Sequence, residues 1–237
     1  MARKKANSAK NGGPECQGIA QQWSGRSQLR NDRKEVILRS AATVLRNSRL
    51  SSITIQDVAN ELGMTKGSLY YYFKNKQDIL YHCHMRSMAI SLRALEEANA
   101  KGRTPSESLR ILLSGHIRGI LNDGFGSILQ TDLDSFRPQQ RRAYIRKRDE
   151  LESAVRTMID DGVRAGELAC SNVKLAGFTI LGAINWIPKW YRDTGPLSPD
   201  TIVQEMVDFF LLGLRRLPDA SPAPGRSNGE RAMAQNG

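Results

Sequence analysis

The side chains best suited to intermolecular chemistry lie close together, between Thr65 and Lys76: Thr-Lys-Gly-Ser-Leu-Tyr-Tyr-Tyr-Phe-Lys-Asn-Lys. They are cations, hydroxyl donors and rings with a polar tip. That inventory holds a polyanion; it does not make or break covalent bonds. A lysine such as Lys66 can donate to O6 and N7 of guanine, and Gly67 leaves the backbone bare for close approach to a flat partner. The usual arrangements of covalent chemistry are missing. There is no P-loop, nucleophile elbow, His-Glu-x-x-His or metal-ligand cluster, and the three histidines have no carboxylate arrangement around them. His82 and His84 stand two residues apart and do not share a helical face. Cys16, Cys83 and Cys170 fit no disulfide or metal spacing. No enzymatic activity, cofactor or metal is expected.

The elements that must position these residues are two short helices and a tight turn. Ile55, Val58, Ala59 and Leu62 recur at i, i+3, i+4 and i+7, giving one apolar face. Thr54 is a predicted N-cap, with Asp57 completing a capping box. Gly63 stops the helix by taking the left-handed conformation that a side chain disfavours. Thr65 then caps a second helix whose inward residues are Leu69 and Phe73. Lys66, Gly67, Ser68, Tyr70, Tyr71 and Tyr72 face outward. A small, basic helix start followed by exposed aromatics suits a helix laid into a major groove.

Charge agrees with that reading. The 237-residue chain carries a net +11, with 14 Lys/Arg against 6 Asp/Glu in residues 1–81 and 21 against 18 in the remainder. The positive field is concentrated on and before the two short helices, as a polyanion binder requires. No apolar run reaches the ~18 residues of a membrane span; Leu175 to Ile187 is the longest candidate and contains Asn185. Nothing at the start reads as a secretion leader, so a reducing cytoplasm and no membrane partner are expected.

Residues 33–81 resemble the DNA-binding domain of the TetR/AcrR family of bacterial repressors. The resemblance rests on Ile53-Thr54-Ile55-Gln56-Asp57-Val58-Ala59, then Leu62-Gly63-Met64, then Gly67-Ser68-Leu69-Tyr70-Tyr71-Tyr72-Phe73-Lys74-Asn75-Lys76, with Ile79-Leu80 following. It implies an all-α protein with an N-terminal three-helix helix-turn-helix domain and a C-terminal helical domain for ligand binding and dimerisation. It also implies a homodimeric repressor on palindromic double-stranded DNA, with half-sites about one helical turn (~34 Å) apart. Carried over residue by residue, Lys66 is the base reader and Gly67 the point of close approach. Gln56, Tyr70 and Tyr71 are assigned to bases or thymine methyls, and Thr65, Ser68, Tyr72 and Lys76 to phosphates. An activator of the same family and a non-specific architectural DNA binder remain open alternatives.

Along the rest of the chain, residues 1–30 form a basic arm with too few apolar groups to order itself. Helix 1 is predicted from Asp32 to about Arg46, with Ile37, Ala41, Val44 and Leu45 inward. A long helix runs from Lys76 to about Ala100, and another from Ser106 to about Asn122. Asp123 to Gly126 is a turn, and a helix follows from Ser127 to about Phe136. Pro138 opens a helix that ends before Gly166. Its start is basic: Arg137, Arg141, Arg142, Arg146, Lys147 and Arg148 either pair with Asp149, Glu150 and Glu152 or clamp an anionic ligand. The next helix, Asn172 to about Tyr191, is the most apolar, and Pro188 is expected to kink it. Ser198 caps a last helix to about Leu217. These two C-terminal helices suit a dimer interface of two helices from each subunit.

A second resemblance covers about 40 residues. Asn185 to Arg192, then Gly195-Pro196-Leu197-Ser198, together with Tyr144 and Arg148, are similar to TetR-like repressors of steroid-ring and fatty-acid degradation. That branch responds to CoA thioesters, which implies a small-molecule acyl-CoA inducer. Gly182 departs from the larger polar residue expected of steroid-type members. The expected ligand walls are Tyr144, Arg148, Phe178, Trp186 and Trp190. The expected divisions are a disordered arm (1–30), a helix-turn-helix domain (31–78), a ligand-binding and dimerisation domain (79–217) and a disordered tail (218–237).

Overall fold

The computed structural model describes residues 29–42, 44, 54–122, 133–192 and 194–215, and among these every regular element is a helix. The expectations for the remaining arm and tail, for Leu45, for the 123–126 turn and for most of the 127–136 helix lie outside the described residues. Helix α1 spans residues 29–42, so it begins before the expected Asp32. It is followed by α2 (Ile55–Glu61), α3 (Lys66–Tyr72), α4 (Lys76–Lys101), α5 (Pro105–Asn122), α6 (Pro138–Arg164), α7 (Val173–Trp190) and α8 (Pro199–Gly213).

Local chemistry accounts for the ends of these helices. Thr54 and Asp57 form the reciprocal capping box, with Thr54 N–H donating to the Asp57 carboxylate at 2.7 Å and Asp57 N–H donating to Thr54 Oγ1 at 3.3 Å. Gly63, at φ +60°, closes α2: its N–H reaches Asn60 O at 3.1 Å and Met64 N–H reaches Ala59 O at 2.9 Å. This is a Schellman closure, and it turns the chain at once into α3. Asn75, Asn172 and Ser198 cap α4, α7 and α8 in the same side-chain fashion.

Two cores result. The N-terminal core packs Ile37, Ala41, Val58, Leu69 and Phe73 against Ile79, Leu80 and Cys83 of α4. The larger core packs the rest of α4 with α5, α6, α7 and α8. Helix α4 therefore belongs to both, its first two turns and Ile90 to one and most of its remainder to the other. The α4–α5 crossing is close: a Cβ on Gly115 would stand 2.5 Å from Ala94 Cβ, and one on Gly119 2.6 Å from an Ile90 methyl. Burial in the first core fixes α3, since Leu69 is fully buried and Phe73 is 1% exposed. Truncating either to Ala costs several kcal/mol, of order 2–5.

One local expectation is corrected. Leu133–Ser135 is a short 3-10 turn, not the end of an α-helix, and it delivers Phe136 into the N-terminal core. Helix α7 continues through Pro188 to Trp190. His84 is buried edge-on between Phe136 and Tyr144, with ring centroids 5.3 and 5.0 Å away.

Candidate nucleic-acid interface and inner cavity

Helix α3 presents its outward residues as the sequence requires. Lys66, Gly67, Ser68, Tyr70 and Tyr71 are all exposed, and Leu69 anchors the opposite side. Thr65 Oγ1 accepts the Ser68 N–H at 3.1 Å, and the two hydroxyls hydrogen-bond to each other at 2.9 Å. Capping therefore already engages both of these expected phosphate contacts. Tyr72 departs from the outward expectation. It is half-buried against the N-terminal core, edge-on to Tyr71 at 5.0 Å, and its hydroxyl holds the Arg33 guanidinium, raising the arginine further. Gln56 is exposed on α2, donating to Asn60 Oδ1 at 2.8 Å, and Lys76 is half-buried at the start of α4.

Helix α1 adds cations to this face. The Arg30 guanidinium lies 5.4 Å from the Tyr71 ring centre, and the Lys34 ammonium lies 5.6 Å from that of Phe73. Arg30, Lys66 and the tyrosine hydroxyls thus share one surface.

Asp78 joins the N-terminal helices to the rest of the molecule. It is buried, accepting the Lys74 N–H at 3.1 Å, the Gln140 side-chain amide at 3.0 Å and the Arg137 guanidinium at 3.3 Å. The start of α6 is thereby tied to the residues that follow α3. Sequence reasoning missed this residue, because an aspartate in the first turn of a helix reads as an ordinary capping partner.

A cavity of about 510 Å³ lies inside the helical bundle, within the range that holds small-molecule ligands. Ser87, Met88 and Ser91 of α4, His116 of α5, Tyr144, Arg148 and Leu151 of α6, and Phe178, Leu181 and Gly182 of α7 line it. Tyr144, Arg148 and Phe178 therefore meet as expected. Trp186 and Trp190 do not join them: they are 60% and 42% exposed, on the outer side of α7. Arg148 is half-exposed and paired with Asp149 at 2.8 Å. Elsewhere in the basic run the partners differ from those expected. Arg137 pairs with Asp78 and Arg141 with Asp134, while Arg142 and Arg146 point to solvent.

Burial shapes the protonation of the lining. It pushes the Tyr144 hydroxyl up, opposed by Arg148, and it brings the His116 imidazole down to about 4. His116 is therefore neutral at physiological pH. A larger hollow of about 630 Å³ opens beside the α4–α5 turn, but its walls, among them Asn99, Arg103, Glu150 and Asp161, include no aromatic residue. Among the described residues no group of three His, Cys, Asp or Glu could hold a metal, and no helix is long and apolar enough to cross a membrane.

Comparison with known proteins bears on both regions. Residues 37–83 match the family model of bacterial regulatory proteins, tetR family, and residues 102–214 match that of the tetracyclin repressor-like C-terminal domain. The chain is 25% identical over 192 residues to the HTH-type transcriptional repressor KstR2 of Rhodococcus jostii (strain RHA1), covering 78% of this chain and 92% of that one. It is also 25% identical over 155 residues to the fatty acid metabolism regulator protein of Bacillus subtilis (strain 168), covering 63% and 78%. Among solved structures, the TetR family transcriptional regulator PfmR of Thermus thermophilus is similar with a TM-score of 0.68 and 31% identity, over 76% of this chain and 99% of that one.

Proposed function

Because the chain belongs to the TetR family of bacterial regulatory proteins, we propose that it is a homodimeric transcriptional repressor that leaves its operator when an acyl-CoA thioester enters the α4–α7 cavity. The observation that carries the DNA-binding part is the exposed chemistry of α3. Lys66, Gly67, Tyr70 and Tyr71 stand in solvent on a helix held rigidly by Leu69 and Phe73, with Arg30 beside them. In this reading residues 31–78 are the reading head and residues 79–217 the ligand-binding and dimerisation region. Lys66 reads guanine, Gln56, Tyr70 and Tyr71 touch base edges or thymine methyls, and Thr65, Ser68, Tyr72 and Lys76 hold phosphates. Thr65 and Ser68 do so with the lone pairs and hydrogens that capping leaves over. A regulator of chromosomal operators works in the cytoplasm.

Dimerisation is assigned to the outer faces of α7 and α8. Leu175, Trp186, Trp190, Phe209 and Leu212 are exposed there, an apolar surface of the kind that marks a protein interface. Trp186 and Trp190 are thus reassigned from ligand walls to interface anchors.

The ligand class is argued from the cavity. Phe178, Leu151, Leu181 and Met88 offer an acyl chain an apolar wall, and Arg148 at the exposed rim offers charge to a phosphate-bearing head. One relative is named a fatty acid metabolism regulator, which fits an acyl group as part of the ligand. Release is a population shift: the ligand must bind the spacing of reading heads that misses the operator more tightly than the spacing that fits it. Helix α6 is the natural lever, since Tyr144 and Arg148 line the cavity while Arg137 and Gln140 of the same helical segment grip Asp78 behind α3.

The experiment is selection of bound DNA from a random pool by the full chain, repeated with short-, medium- and ring-bearing acyl-CoAs. A palindrome recovered without ligand and lost with one thioester is the expected result. Recovery of DNA with no preferred sequence points instead to an architectural binder.

A further inference from the structure

His116 and Ser91 form a buried pair on the cavity wall, 5% and 3% exposed. Ser91 Oγ lies 2.7 Å from His116 Nδ1 and 3.2 Å from the Ser87 carbonyl oxygen. A hydroxyl carries one hydrogen. For both bonds to exist together, Ser91 must donate to the carbonyl, which can only accept, and must itself accept the hydrogen on Nδ1. Nδ1 is then the protonated nitrogen of a neutral ring, and Nε2 carries a lone pair. That Nε2 is buried and has no hydrogen-bond partner among the described residues. A ligand covering it with hydrocarbon would strand an acceptor, whereas one bringing a hydrogen there would satisfy it.

We infer that the buried end of the ligand carries a hydroxyl group that donates to His116 Nε2. The inference rests on reading this cavity as the effector site. It separates the two ends of the ligand. The half-exposed Arg148 meets the anionic head at the rim, and the buried His116 meets an uncharged, hydroxylated end of the chain. His116 is then a specificity residue, distinguishing a hydroxylated acyl group from its saturated and keto counterparts. A keto oxygen brings a second lone pair against Nε2 and an alkyl group brings nothing. An acidic group is disfavoured by the same burial that keeps the imidazole neutral.

The test uses neutral, CoA-free probes, so that it stands apart from the thioester question. The full chain, with 15N-labelled histidine, is titrated with a medium-chain secondary alcohol and with the ketone of the same carbon skeleton. The free protein is expected to show a pyrrole-like Nδ1 and a pyridine-like Nε2 for His116. The alcohol should bind on the order of tenfold more tightly than the ketone and should move the Nε2 resonance. Ser91→Ala releases the tautomer and should bring that ratio toward one, and His116→Leu should abolish it. A pyrrole-like Nε2 in the free protein, a ketone that binds as well as the alcohol, a preference that survives His116→Leu, or no binding of either probe overturns the inference. If thioesters fail to release DNA while the alcohol preference stands, the acyl-CoA reading fails and the role of His116 does not.

Discussion

Helix α3 exposes Tyr70 and Tyr71 at 48% and 68%, and α7 and α8 expose Trp186 at 60% and Phe209 at 73%. By exposure alone the two faces are equals. Their chemistry is not. Every ring on α3 ends in a hydroxyl, and Lys66, Gly67 and Ser68 lead into them, so the face stays satisfied in water and against phosphate. On α7 and α8 the large exposed groups are Leu175, Phe178, Trp186, Trp190, Phe209 and Leu212, where only the indole nitrogens can donate. Lys174 and Lys189 lie over Phe178 and Trp186 and cover part of this surface with their stems. Exposed aromatics therefore specify a partner only through what surrounds them: polar tips and cations for a wet polyanion, bare hydrocarbon for a dry protein surface.

The sharpest way to break this contrast is to place one carboxylate on each face. In the proposed dimer, Trp186→Glu or Phe209→Glu buries two like charges across the symmetric interface. It should weaken the dimer at least ~100-fold, in keeping with loss of a central anchor. Tyr71→Glu should leave the dimer intact and abolish operator binding by repelling phosphate. Sedimentation equilibrium read beside DNA titration decides. If Tyr71→Glu dissociated the dimer and Trp186→Glu did not, the two faces would have to be exchanged.

Acid should separate the regions next. His116 titrates at about 4 in the fold against a reference of 6.5, because burial disfavours its charged form. The unfolded chain therefore takes up the proton first. Stability from this group is complete above the reference value and is lost as pH falls from there toward 4. The loss between pH 7 and 5 is about 2 kcal/mol by linkage. Arg148 and Glu152, the charged residues that line the same cavity, contribute opposite signs. In the reading head His82 is also lowered by burial, but Asp78 opposes the shift, so its share is smaller. Thermal unfolding of the full chain at both pH values should show the loss. His116→Leu should flatten it, and an unchanged slope in that variant would place the acid sensitivity elsewhere.

Within the polar face, base reading and phosphate holding can be separated. Lys66→Ala should cost about 1–3 kcal/mol on the preferred operator and relax its sequence preference. Lys76→Ala should weaken all sequences alike and reduce the salt dependence by about one counterion. Titrations over operator variants at two salt concentrations measure both, and identical behaviour of the two variants would remove the distinction.

The N-terminal half is legible because its information is local. A threonine three residues before an aspartate, a glycine at a helix end and an i, i+4 pair of apolar residues each fix one feature, and Thr54, Gly63, Leu69 and Phe73 do what their spacing says. The C-terminal half depends on contacts distant in sequence. An apolar helix such as α7 has more hydrophobic residues than one buried face can use, so periodicity alone does not assign Trp186 inward or outward. Phe178 lines the cavity while staying half-exposed, whereas Trp186, 60% exposed, is not part of the lining. His116 and Asp78 give no local sign of their roles, since each depends on partners from another helix: Ser91 for one, Arg137 and Gln140 for the other. Tyr72, by contrast, breaks the pattern within the legible half. It follows two outward tyrosines, but it stands three residues after the buried Leu69 within α3, and that spacing places it on the flank of the inward face.

The smallest change tests the polar face most cleanly. A Cβ on Gly67 would meet only Thr65 Oγ1, at 3.9 Å, and the residue does not need a positive φ. In the free protein Gly67→Ala should therefore be tolerated and should gain up to about 1 kcal/mol, because alanine loses less backbone freedom in a helix. In the proposed complex the same methyl would lie where the backbone of α3 approaches DNA most closely, so affinity should fall even as the melting temperature rises. Opposite signs from one methyl group cannot come from damage to the fold. If affinity rose together with stability, the first turn of α3 would not be the part of the helix that enters the groove.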